Sequence, residues 1–127
     1  MTQEEKQLLL QDLCARLPYG VCAHVRYKEG EPCYGKLTPR DIQWFIDSNI
    51  ENIKPYLRPM SSMTEEEKKE FNSLINGVEE RCINAYGKGG YTLAFIEVND
   101  WLNAHHFDYR GLIEKGLALE APEGMYN

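Results

Sequence analysis

Residues 38–50 read TPRDIQWFIDSNI, and whether they form a helix or a strand decides how much sheet the chain contains. Thr38 as a cap, Pro39 at the first helical position and Asp41 in the reciprocal capping position favour a helix carrying Ile42, Phe45 and Ile46 on one side. Against this, Ile42, Trp44 and Ile46 also alternate, and Trp44, Phe45 and Ile46 suit a pleated, half-buried surface. We read the segment as a third strand entered through a turn at Pro39, with the capping signal as the counter-indication. On its amino side, Val21, Ala23, Val25 and Tyr27 alternate with Cys22, His24, Arg26 and Lys28, the period of a strand with one covered face. KEGEP (28–32) supplies a turn, and Cys33 to Leu37 returns as the partner strand. On its carboxyl side, IKPYLRP (53–59) holds Pro55 and Pro59, which remove two backbone donors and keep their predecessors out of helical geometry. A hinge between two halves is expected there, and a long central strand is not.

The helical segments are clearer. Gln3 to Leu17 places Leu9, Leu10, Leu13 and Leu17 on one side, with Thr2 as cap and Pro18 and Gly20 as the stop. Thr64 and Glu67 have capping-box spacing, and from Phe71 the positions Leu74, Ile75, Val78, Cys82 and Tyr86 recur at helical intervals until GKGG (87–90). A further helix runs from Thr92 to His105. Leu112 to Leu119 reads either as a short helix or as a helical turn followed by strand-like LALEA (117–121), and residues 122–127 are expected to fray. The sum is a single α+β domain over 127 residues: a small antiparallel sheet, an amino-terminal helix, and a carboxy-terminal helical half packed across the sheet by residues 53–60.

Composition narrows the function classes. Net charge is −6 and the basic residues are scattered singly, so nucleic acid ranks last among partners. No stretch approaches the roughly 18 apolar residues of a membrane span, and the amino terminus lacks the basic start and apolar run of a signal peptide, which predicts a cytoplasmic protein. Cys14, Cys22, Cys33 and Cys82 form no CxxC step and have no close histidine partner set, so neither a zinc site nor a redox dithiol is indicated, and burial is their expected fate.

Three places invite chemistry. His105, His106 and Asp108 form an HHFD step, but adjacent histidines on a helix point about 100° apart, so an enzyme or metal site there needs outside ligands. AYGKGGY (85–91) has neither nucleotide-loop pattern, so Lys88, Arg110 and the glycine amides support only an alternative small-molecule or nucleotide binder. Tyr56 with Arg58, and Tyr109 with Arg110, are aromatic-basic pairs in irregular segments; such residues serve as internal cement, with Arg58 pairing to Asp108 or Glu114, or as contact surface. The surface to test is therefore Tyr56, Arg58, His106, Tyr109 and Arg110, with a protein partner. No catalytic residue, cofactor or metal ligand is assigned. Leu8, Leu9, Leu10, Leu13 and Leu17 exceed a narrow stripe, which suggests a homo-oligomer through the first helix.

LPYGV (17–21), IKPYLRPMSSMTEE (53–66) and DWLNAHHFDYRGLIEKGLALEAP (100–122) resemble pieces of small uncharacterised proteins of Bacteroides-type gut bacteria and their prophages or other mobile elements. The resemblance implies a bacterial or phage origin and a β-containing amino-terminal part, and it carries no reaction, cofactor or site residue. Taken together, the expectation is a non-enzymatic binding or adaptor protein of a mobile element, acting through protein contacts.

Overall fold

The computed structural model describes residues 1–77 and 90–126. Helix α1 (Gln3–Arg16) starts at a complete capping box: the Thr2 hydroxyl accepts from the Glu5 amide at 3.1 Å, and the Glu5 carboxylate accepts from the Thr2 amide at 2.9 Å. A short 3₁₀ turn through Pro18 ends at Gly20, whose φ of 71° lies in the left-handed region that favours glycine. Strands β1 (Cys22–Tyr27) and β2 (Cys33–Lys36) then form the expected hairpin, with Cys22 opposite Lys36 and His24 opposite Tyr34.

Residues 39–46 are a helix, α2 (Pro39–Ile46), which corrects the strand reading. Both halves of the Thr38–Asp41 capping box form, and Asp41 also accepts from the Thr38 hydroxyl at 2.9 Å and from the Tyr27 hydroxyl at 3.0 Å. Burial follows the helical period. Ile42 and Phe45 are buried, while Trp44 and Ile46, which a strand would have covered together with Ile42, remain 37% and 48% exposed. Trp44 instead meets Tyr27 edge-on at 5.6 Å and lies beneath the Arg40 guanidinium.

The proline-framed segment also differs from expectation. Ile50–Leu57 is β3, an eight-residue strand, and with β4 (Leu119–Glu120) the sheet order is β2-β1-β3-β4. Strand β3 runs antiparallel to β1, and parallel to the short β4, which begins to pair only at Tyr56. Pro55 stands opposite Ala23. At the next position, the amide of Cys22 and the carbonyl of Tyr56 face one another through the Tyr126 hydroxyl, which accepts at 3.0 Å and donates at 2.6 Å. The Ala23–Pro55 pair is therefore of the type whose amides point away from the neighbouring strand, toward an edge that β4 does not yet cover. The absent proline donor costs no ladder bond. Tyr126 also corrects the frayed tail: its hydroxyl is wedged into the sheet, and its ring stacks on His106 at 3.8 Å.

Helix α3 (Glu65–Asn76) starts at the Thr64–Glu67 capping box, and α4 (Gly90–Ala104) follows. The readings at Val78, Cys82, Tyr86 and Gly87 to Lys88 lie outside the described residues. One core gathers Leu9 and Leu13 of α1, Val21 just before β1, Ala23 and Val25 of β1, Ile42 and Phe45 of α2, and Ile53 and Leu57 of β3. Leu8, Leu10 and Leu17 are partly buried and pack against this same core. A second cluster joins Val98 and Leu102 of α4 and Phe107 to Phe71, Leu74 and Trp101. No described helix is long and apolar enough to cross a membrane.

Candidate binding surface

Most of the residues singled out as a contact surface bond to other parts of the fold while keeping some exposure. Arg58 forms a two-pronged ion pair with Glu67, both contacts 2.7 Å, and its guanidinium covers the Phe107 ring at 4.2 Å. Its partner is thus Glu67 rather than Asp108 or Glu114. The pair, strengthened by the Thr64 amide, holds the Glu67 carboxyl down at about 2, well below the usual carboxylate range. The Tyr109 hydroxyl donates to Asn103 at 2.8 Å, and Arg110 donates to both Tyr109 and Asp12 at 3.2 Å. His106 is 7% exposed. Tyr56, on the outer side of β3, is half-buried, as are Arg58, Tyr109 and Arg110.

The HHFD step is a helix stop. The His106 amide donates to Asn103 and the Phe107 amide to Leu102, the paired bonds of a Schellman ending, with His106 at φ 62° in the position that glycine usually takes. Arg58 then donates its amide to the His106 carbonyl, and the Asp108 amide donates to the Arg58 carbonyl, both at 2.8 Å, stitching the end of α4 to β3. The Asp108 carboxylate accepts from the amides of Leu112 and Ile113 at 2.9 Å, so it is turned away from both imidazoles. His105 stacks on Trp101. Burial, with the nearby charges of Arg16, His105 and Arg58, pushes the His106 imidazole down to about 4. These three side chains do not converge on a substrate position, and no group of metal-ligating side chains exists among the described residues.

Sequence reasoning missed Asp12 and Arg16, which lie on the leucine side of α1. Both are fully buried, joined at 2.9 Å, and Arg16 also donates to the Phe107 carbonyl at 2.5 Å. The i,i+4 spacing was visible as an ordinary surface pair; its burial was not. The cysteine expectation also fails in part. Cys14 is exposed because it follows Leu13 by one step and turns off the buried stripe, and Cys33 is exposed on β2.

A concave region flanks the hairpin. A groove of about 490 Å³ between β2 and the start of α2 contains Cys33, whose thiol is 3.7 Å from the Tyr27 hydroxyl. Burial and the bonds to Cys33 and Asp41 hold the Tyr27 proton above the usual phenol range. Asp41 is occupied as the α2 cap.

The opposite side of the sheet has a different character. Alternation places Ala23, Val25, Ile53 and Leu57 on the buried core side and turns Cys22, His24 and Arg26 of β1 and Asn52, Lys54 and Tyr56 of β3 outward. Tyr34 and Lys36 of β2 join them through the pairs His24↔Tyr34 and Cys22↔Lys36, and Lys54 completes the row opposite His24. These eight positions hold three cations, a histidine and two tyrosines, and no carboxylate. All are exposed or half-buried, Tyr34 at 73%. Among the described residues, none of Arg26, Lys36 and Lys54 has an ion-pair partner. Glu5 and Glu51 line a cleft with Arg26 at one end, so the Lys36–Lys54 end is the more positive.

No family model matches the chain, and no curated protein or solved structure is significantly similar to it. The resemblance seen in residues 17–21, 53–66 and 100–122 stands on those segments alone.

Proposed function

We propose that the protein is a non-enzymatic binding protein whose working surface is the outer face of its sheet and whose partner is acidic. One observation supports this reading: on a chain of net charge −6, Arg26, Lys36 and Lys54, which have no ion-pair partner among the described residues, share one face with His24 and two tyrosines, and the carboxylates of Glu5 and Glu51 gather at its Arg26 end. Segregated charge of this kind produces a local attractive field that net charge conceals. A cytoplasmic setting fits the exposed thiols of Cys14 and Cys33, which stay reduced there. The test is retention on an immobilised polyanion at about 50 mM salt, where screening is weak. Wild type is expected to be held, and a Lys36→Glu/Lys54→Glu variant to pass through. Passage of wild type without retention would count against the reading.

A further inference from the structure

We infer that the outer sheet face holds single-stranded nucleic acid, an assignment that rests on the binding reading above and names its acidic partner. Composition alone ranked nucleic acid last, because scattered basic residues show no patch until strand pairing brings them together. The pairing does so. Tyr34, His24 and Lys54 form one row across β2, β1 and β3, with Lys36 and Cys22 in the next row on one side and Arg26 and Asn52 in the next row on the other. With strands about 4.8 Å apart and same-face residues about 6.8 Å apart, Lys36 and Lys54 are separated by roughly 12 Å and Lys54 and Arg26 by roughly 8 Å at the backbone. Long, flexible side chains at those intervals can follow successive or next-but-one phosphates of an extended strand.

The rings between them favour a nucleic acid over an acidic polypeptide. Tyr34 is 73% exposed and lies directly opposite His24, so two π faces stand between Lys36 and Lys54, with the Tyr56 ring on the far strand. A carboxylate chain would pair with the cations and leave these rings uncovered. A single strand carries a flat base one step from each phosphate and can use both, because every base has a π face. A duplex fits less well: its bases are already stacked inside, and a broad sheet face with three cations reaches few of its phosphates.

The assay is fluorescence anisotropy of the full chain with a labelled oligo(dT) of about twelve nucleotides, which can cover a footprint of this size. Wild type is expected to bind at low salt, with log K falling against log[salt] at a slope of about −2, from three phosphate contacts at about 0.7 each. Lys54→Gln should reduce that slope by about 0.7. Tyr34→Ala, at an exposed position that folding does not need, should weaken binding roughly 5- to 150-fold, whereas Tyr34→Phe keeps the stacking face and the affinity. Oligo(U) should bind within a few-fold of oligo(dT), since phosphates and bases are read and the sugar is not, and a duplex of equal length should bind more weakly. Polyglutamate is the separating control. If it binds as tightly as oligo(dT), or if Tyr34→Ala leaves the oligo(dT) affinity unchanged, the nucleic-acid assignment is overturned while the acidic-partner reading stands. Failure of every polyanion to bind overturns both.

Discussion

Replacing Asp12 by asparagine puts the greatest load on the fold for the smallest change in shape. The carboxylate is fully buried and accepts from two guanidiniums, Arg16 at 2.9 Å and Arg110 at 3.2 Å. Arg16 is itself fully buried and cannot turn to water, and its remaining protein acceptor is the Phe107 carbonyl. Asp12→Asn therefore leaves a buried charge without its counter-ion, a change that costs about 3–5 kcal/mol. Total stability for a chain of this length is on the order of 6–19 kcal/mol, so the loss is a large fraction of the whole. It should appear as a fall in the urea midpoint at unchanged m-value, and as a drop in Tm of roughly 10–25 °C. Asp12→Leu with Arg16→Met removes both buried charges. Arg110, which is 27% exposed, can then turn outward, and the chief remaining debt is the unpaired Phe107 carbonyl, at about 1–2 kcal/mol. A single variant that loses less than about 1 kcal/mol, or a double variant as unstable as the single, would refute the view that an uncompensated Arg16 charge sets the cost.

Two further predictions concern the carboxy-terminal fastening. The folded His106 imidazole titrates near 4 against an ordinary value of 6.5, so the unfolded chain takes up its proton first. The stability held above pH 6.5 should then be lost progressively as pH falls toward about 4, and His106→Asn, whose side chain tolerates the left-handed backbone, should flatten urea midpoints across that window. Tyr126→Phe removes the hydroxyl that joins the Cys22 amide to the Tyr56 carbonyl, and should cost about 1–2 kcal/mol and speed hydrogen exchange at the Cys22 amide roughly tenfold; unchanged exchange would mean that the strands close directly.

The two misread segments fail for different reasons. In residues 38–50, alternation and capping competed, and both signals were in the sequence. The cap prevails because Thr38 and Asp41 satisfy three donors locally and Ile42 and Phe45 reach the core together, which a strand cannot arrange. In residues 50–57, Ile53, Leu57 and the alternating Asn52, Lys54 and Tyr56 carried a strand period, but Pro55 was weighed as a breaker. Its harm depends on which way its nitrogen faces, and that is fixed by the register with β1 and by where β4 begins, information that comes from two distant parts of the chain.

The sequence by itself determined what local chemistry can settle: the capped starts of α1 and α3 and the β1–β2 hairpin with its turn. Each rests on residues within a few positions of one another, so hydrogen bonds and periodicity specify them without the rest of the fold. Only the tertiary structure decided the burial of Asp12 and Arg16, the fastening of the HHFD step to Arg58, and the alignment of Tyr34, His24 and Lys54 across three strands. Those depend on contacts between residues that lie far apart along the chain, and a side chain's solvent, charge partners and neighbours are fixed only when such contacts form.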